Sequence, residues 1–452
     1  MNFTVSKEEI LSGNIFKGLI KLALPLMLLN LINTLYGIVD TYFVGKIGEL
    51  QVGAVSLVTP ITNCGIAFAA GLSAATIAMI SRVLGKGDAE KASSIATHAI
   101  VLSIALGLII TTICLVFISP IIKWLNTPAD IYADTKAYYI GISFDYVFLF
   151  ILTVYQAIRQ ASGDSKSGAK INIIASAINA VLDPIFIFTF NMGTFGAAIA
   201  TVLSKVIMCP IALYKLGNSD SEVQVSLKKY KIEFNNMYKI IKVSIPASLG
   251  QFLASFGFVL MSKEIVSYGS IIMSGYGIGS HISSIFYIPV NSIGMALPTY
   301  IGQNLGAKNP QRARESYKVS LKLVAIMYIL IMAVGFTTSK YIVLLFVSNA
   351  SEKLMNVSLE YAYYSMATGF CMGWFNSLCG VFNGSTNTKI SMILSAGRIL
   401  FIRMPIVYLL ARYTNLQYTG IWVSMIISNL ITCITGQIIY FKYPWDKKAI
   451  TM

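Results

Sequence analysis

Two carboxylates stand where carboxylates are costly. Asp40 lies in LINTLYGIVDTYFVG (31–45) and Asp183 in ASAINAVLDPIFIF (175–188), each inside a long apolar run. A charge placed in hydrocarbon costs about 2.5–3.5 kcal/mol on insertion scales, so an acid kept there is a functional suspect. Tyr36 and Asn33 precede Asp40 by four and seven residues, on the same helical face, and Asn179 stands one turn before Asp183. Thr201 belongs to the next apolar run. Two chemistries suit this set. Paired carboxylates in a low dielectric hold a proton jointly and release it when water or another charge approaches. The same carboxylates, with oxygens from Asn179, Thr201 and the Ala180 carbonyl, would also coordinate a hard cation such as Na⁺. Pro184 follows Asp183 directly; it removes a helix hydrogen bond and crowds the Ala180 carbonyl, so a kink or hinge is expected beside the acid. The bland reading is a hydrogen-bonded polar cluster that only ties helices together.

Other polar groups share the apolar stretches. Asn33 and Gln156 are candidates for a substrate chamber or for interhelical hydrogen bonds. Asp145 is a third chamber candidate, with pairing to a basic residue favoured. Lys205 falls one turn after Thr201, and Glu264 sits beside Lys263. Arg398 and Arg403 are five residues apart, which on an α-helix points them in different directions. The sequence assigns no role to Lys205, Glu264, Arg398 or Arg403.

The elements that carry these residues are membrane spans. The chain has 452 residues, 56% hydrophobic and 12% charged, with mean hydropathy +0.71. Soluble domains carry about 25% charged residues. Apolar stretches of bilayer length recur near 15–40, 52–80, 93–119, 137–160, 168–190 and 193–215. A second set lies near 238–262, 271–300, 316–338, 356–382, 389–411 and 418–441. The fold class is therefore an all-α integral membrane protein of twelve transmembrane helices. No cleavable signal peptide is evident in MNFTVSKEEILSGNIFKG. All six cysteines sit in apolar runs, which argues against a disulfide framework or a metal site. The net charge of +15 is spread over the connections, and its bias to one side puts both termini in the cytoplasm. That distribution is a topology signal and argues against a nucleic-acid partner.

The chain also repeats itself at a spacing of 221 residues. Pro25/Pro246, Gly48/Gly269, Gly85/Gly306, Ala92/Ala313, Gly163/Gly384 and Pro184/Pro405 all match, and RVLGKGDAEKA (82–92) lies over QNLGAKNPQRA (303–313). Six spans per half give two lobes of the same orientation, related by pseudo-two-fold symmetry about the membrane normal. The expected division is 1–215 for the N-terminal lobe, 216–237 for a cytoplasmic linker and 238–452 for the C-terminal lobe. The repeat replaces Asp40 by Met261, Asp183 by Met404 and Asn179 by Leu400, so the acids belong to one lobe only. Helical rise puts Asp183 some 22 Å from the cytoplasmic end of its span, and Thr201 about 12 Å from the outer end of the next.

The whole chain resembles the multidrug and toxic compound extrusion (MATE) family. The resemblance is carried by ALPLMLLNLINTLYGIVDTYFVGKIG (23–48), IPASLGQFL (245–253), QASGDSKSGAKINIIASAINAVLDPIFIF (160–188) and NGSTNTKISMILSAGRILFIRMPIVYLL (383–410), in that family's order. Acids in both the first and fifth helices are similar to the DinF-like and MepA-like branches. The resemblance implies a secondary antiporter that exports amphipathic, cationic organic compounds in exchange for H⁺ or Na⁺ by alternating access. It also implies that Tyr36, Asp40, Asn179, Asp183 and Thr201 form the coupling-ion site. Expected with it are a bacterial inner-membrane location, a monomer, no cofactor and no metal beyond Na⁺. A lipid-linked oligosaccharide flippase of the same superfamily is the near alternative. An ATP-driven pump lacks a GxxxxGK[ST] loop, and a membrane enzyme has only His98 and His281 to draw on, with no HExxH.

Overall fold

The computed structural model of the chain describes residues 4–124, 127, 129–218, 222–346 and 351–447. Among these every regular element is helical. The N-terminal half holds Ile15–Ile47, Glu49–Gly85, Ala89–Val116, the pair Tyr132–Ser143 and Asp145–Ala161, Ser165–Pro184 continued by the π-helical stretch Ile185–Thr189, and Gly193–Gly217. The C-terminal half holds Phe234–Val266, Ser270–Gly306, Pro310–Phe346, the pair Glu352–Ala367 and Gly369–Gly384, the composite Thr388–Ala396, Gly397–Arg403 (π-helical) and Met404–Tyr413, and Thr419–Lys442. These are spans one to twelve, and each coincides with an apolar stretch expected from the sequence. Nine are by length and composition apolar enough to cross a membrane, and the fourth, bent by 41° at its break, makes a tenth. The eighth and tenth complete the set of twelve.

The spans run longer than hydropathy alone marks them. The first continues past residue 40 to Ile47 and stops at Gly48, whose backbone is extended. Counting apolar residues measures the hydrocarbon, whereas the i→i−4 hydrogen-bond ladder continues until the backbone breaks it. Asp40 is thus well inside its helix rather than at the end.

One face of the molecule gathers the described residues nearest the two ends of the chain. The Val5 amide donates to the Gly163 carbonyl at 3.0 Å, Arg312 donates to the carbonyls of Ile10 and Gly13, and Arg314 pairs with Asp446 at 2.6 Å. Ahead of the first span lies a short helix, Lys7–Ser12, N-capped by Ser6, with Val5 and Ile10 wholly buried.

Two large apolar clusters make up the interior. One joins spans two to six, with Ile240 and Val243 of the seventh. The other joins spans eight to twelve, with Leu19, Leu22 and Leu26 of the first. The first and seventh spans therefore cross between clusters at the face that carries Val5 and Asp446. There the halves meet closely. A Cβ on Gly85 would fall 2.0 Å from the Gln303 carbonyl oxygen, and one on Gly306 would fall 2.0 Å from that of Arg82. Polar clasps support the contact: Gln303 Nε2 donates to the Ala161 carbonyl at 2.8 Å and Thr299 Oγ1 to that of Gln160 at 3.1 Å. Toward the other ends of the second and eighth spans, a Cβ on Gly53 or Gly277 would meet nothing within 4 Å.

Candidate functional site

The first and fifth spans pack along each other, and that packing brings the two acids into one cluster. Tyr36 and Thr201 bond through their hydroxyls at 3.3 Å. Thr201 gives its own proton to the Ala197 carbonyl at 3.1 Å, so Tyr36 is the donor between them. Asn179 Nδ2 donates to Asp183 Oδ1 at 3.1 Å. Asp183 is completely buried, and its Oδ2, like Asn179 Oδ1, has no donor. Asp40 is half-buried, and its charge acts on both Asp183 and Tyr36. Buried acceptors without donors are rare. Two of them beside a second carboxylate suit a proton or a hard cation.

Sequence reasoning missed Tyr138. The charges of Asp40, Asp145 and Asp183 all act on its hydroxyl, from three different spans. A tyrosine in an apolar run carries no signal of its own, and the bend of the fourth span just beyond it, between Ser143 and Asp145, is a tertiary feature. Asp145 itself pairs with Lys205 of the sixth span at 2.5 Å, with side chains 10% and 21% exposed. Lys205 therefore has a partner within its lobe, one turn from Thr201.

Pro184 ends the α-helical part of the fifth span, and the π-helical stretch begins at the next residue. That stretch lies against Gly196, where a Cβ would sit 2.7 Å from the Phe186 carbonyl oxygen. π-helical turns inside α-helices are frequent at functional sites.

The chamber candidates separate. Asn33 lines a cavity of about 380 Å³ between the first and eighth spans, with Asn30, Thr34, Ser284, Asn291 and Met295. Gln156 accepts from Asn172 Nδ2 at 3.0 Å and so bridges the fourth and fifth spans. Asn33 and Asp40 share a face of the first span, which links the cavity to the acid cluster through one helix.

Among the described residues the C-terminal lobe has no such acid cluster. Met261 is fully buried among Ile265, Tyr361, Val407 and Trp422. Arg398 and Arg403 differ from the expectation that they diverge. Arg398 Nη1 and Arg403 Nη2 both donate to Asn429 Oδ1, at 3.2 and 2.9 Å. Gly397–Arg403 is π-helical, with i→i+5 bonding, and that register stacks residues five apart on one face.

Comparison with known proteins identifies the family of the whole chain. The MatE family matches residues 25–185 and 246–409, one segment in each half. The multidrug export protein MepA of Staphylococcus aureus is 26% identical over 436 residues, 94% of each chain. The probable multidrug resistance protein YoeA of Bacillus subtilis is 22% identical over 450 residues, covering 97% of this chain and 96% of its own. Among solved structures, an outward-facing multidrug resistance MATE transporter superposes with a TM-score of 0.90 at 24% identity, covering 96% of this chain and 97% of that one. A transporter of the wider MOP superfamily from Pyrococcus furiosus, described as having a binding pocket of reversed polarity, gives 0.92 at 24% identity over 99% and 100%. Twelve spans in two lobes, with the family match falling on both halves, establish that the chain belongs to the MatE family of transporters.

Proposed function

We propose that this transporter is a secondary active multidrug antiporter of a bacterial inner membrane, a monomer with both termini in the cytoplasm. It exports amphipathic organic cations by alternating access, with Asp40 and Asp183 as its coupling-ion site. The observation that carries the reading is the convergence of Asp40, Asp183, Asn179, Tyr36 and Thr201 inside one lobe, with no acidic counterpart in the other. The relatives named as multidrug export and resistance proteins support export of small molecules. The amide- and hydroxyl-lined cavity between the lobes supports a chamber whose contacts are adaptable rather than charge-specific.

H⁺ is the proposed driver. Asp183 Oδ2 and Asn179 Oδ1 lack donors, and a shared proton satisfies such oxygens without the fuller oxygen shell that Na⁺ needs. Contact between the lobes at the terminal face, with open positions toward the other end, supports an outward-open state under this orientation.

The test is efflux of a fluorescent cationic dye from proteoliposomes under an imposed pH or Na⁺ gradient, each alone. Asp40→Asn and Asp183→Asn should each abolish gradient-driven export while the protein stays folded and inserted. Full export by either variant removes that acid from the mechanism. Export driven by Na⁺ and indifferent to a collapsed pH gradient replaces H⁺ as the driver. An unchanged dye distribution for the wild type under both gradients defeats the multidrug reading itself.

A further inference from the structure

The C-terminal lobe holds two buried permanent cations with no counter-charge. Arg398 is 6% exposed and Arg403 1%. The ion pairs found among the described residues are Lys21–Glu9, Lys205–Asp145, Lys229–Glu90 and Arg314–Asp446, none of which involves either arginine. Glu360 of the tenth span is engaged elsewhere, accepting from Tyr418 and Thr419. The charge of Arg398 acts on Arg403, and the other ionisable groups near the two guanidiniums are the uncharged side chains of Tyr276, Tyr287, Tyr361, Cys379 and Cys433; no carboxylate is among them.

The neutral partners do not exhaust the donors. Arg403 Nε donates to Ser428 Oγ at 2.9 Å, Arg398 Nη1 reaches Met372 Sδ at 2.9 Å, and the Arg398 guanidinium lies 4.6 Å from the Phe375 ring centre. Both arginines then share the single oxygen of Asn429. Arg398 Nε is buried and has no partner at all. Two like charges held on one neutral oxygen in a low dielectric repel, and an uncompensated buried charge is strongly destabilising. The scaffold does not require them either. The positions 221 residues earlier are Ala177, Leu182 and Met208, against Arg398, Arg403 and Asn429. The two lobes thus carry opposite charge on equivalent helices.

We propose that Arg398 and Arg403 form an anion-binding site inside the C-terminal lobe, taking one singly charged anion, either free chloride or the carboxylate of a transported compound. Asn429 holds the two guanidiniums together, and the anion completes their donors as charge-assisted hydrogen bonds. The site stands apart from the acid cluster and does not depend on which ion drives transport.

The experiment uses the full-length protein in nanodiscs of neutral lipid, in chloride-free sulfate buffer. Chloride is titrated in and binding is read from chloride NMR line broadening, while benzoate binding is read by saturation-transfer NMR. Saturable binding is expected in the wild type, weakened about tenfold or more by Arg398→Gln and by Arg403→Gln. Asn429→Asp guards against variants that merely fail to fold: its carboxylate would stand in for the anion, raising the melting temperature and abolishing chloride binding. Benzoate that displaces chloride assigns the site to substrate carboxylates; chloride binding indifferent to benzoate assigns it to the free halide. A folded wild type that binds neither probe saturably overturns the proposal, as does chloride binding that is unchanged in Asn429→Asp.

Discussion

At the residue scale the N-terminal lobe contains two kinds of buried charge. Asp145 and Lys205 neutralise each other at 2.5 Å, whereas Asp40 and Asp183 have no basic partner among the described residues. The distinction predicts different phenotypes. Asp145→Asn strands Lys205 and should cost about 3 kcal/mol or more of stability, seen as earlier thermal unfolding in detergent. The double change Asp145→Asn with Lys205→Met should recover most of that loss, because both charges leave together. If the single and double variants melt alike, the pair carries no stability. Asp40→Asn and Asp183→Asn should by contrast leave unfolding nearly unchanged and remove only coupling. Met261→Ala and Met404→Ala, at the repeat-equivalent positions, should leave coupling intact. Tyr138→Phe keeps the ring packing and removes a hydroxyl on which three acids act. Reduced export at steep pH gradients with normal folding is the expected result, measured in the same dye assay.

At the scale of elements, π-helical register does what α-helical reasoning misses. In the eleventh span it brings Arg398 and Arg403 together, and in the fifth it follows the proline beside Asp183. The short helix Lys7–Ser12 is a second case. Val5 bonds to the loop at Gly163 and Arg312 grips the carbonyls of Ile10 and Gly13, so this segment spans connections from both halves. Removing residues 1–13 should loosen the closed face, detected as faster hydrogen exchange in the connections around 163 and 310. Unaltered exchange there would show that the segment holds nothing. The connection to the seventh span is tied down in the same manner: Ser226 N donates to Thr97 Oγ1 at 3.2 Å and Glu233 N to His98 Nε2 at 2.9 Å. The second histidine-bond partner, the Ser94 carbonyl at 2.7 Å, requires the proton on Nδ1, so His98 serves here as a neutral clasp on the third span.

At the scale of the molecule, two lobes close against each other at one end. The contact of Gly85 with Gln303 and of Gly306 with Arg82 leaves no room for a side chain. Gly85→Val should therefore wedge this face apart and bias the protein toward its other state, read as raised labelling of a cysteine introduced at Ser81. Farther along the second span, Phe68 faces Phe252 of the seventh span across the lobes, with ring centroids 6.2 Å apart. Phe68→Cys with Phe252→Cys, in a background freed of native cysteines, should crosslink on oxidation and stop dye export, with recovery on reduction. Crosslinking that leaves export unimpaired would rule out rocking of the lobes as the transport motion.

Apolar runs read against their polar breaks placed the spans, and ten of the twelve are apolar enough by length and composition alone, because the bilayer demands about 20 apolar residues per helix whatever the tertiary arrangement. The 221-residue repeat exposed two equivalent halves, and the cost of burying charge singled out Asp40 and Asp183. Helical spacing also put Tyr36 and Asn33 on the face of Asp40, since side chains three, four and seven residues apart align on any α-helix. What periodicity cannot see is which faces meet and where the helical register changes. Only the packing of the first, fourth, fifth and sixth spans brought Tyr138 to the acids, gave Lys205 to Asp145 and turned Gln156 toward Asn172. Only the π-helical turn of the eleventh span set two arginines on one asparagine. Those outcomes depend on contacts between residues far apart in the chain and on local hydrogen-bond register, neither of which is encoded in the apolar pattern that locates a span.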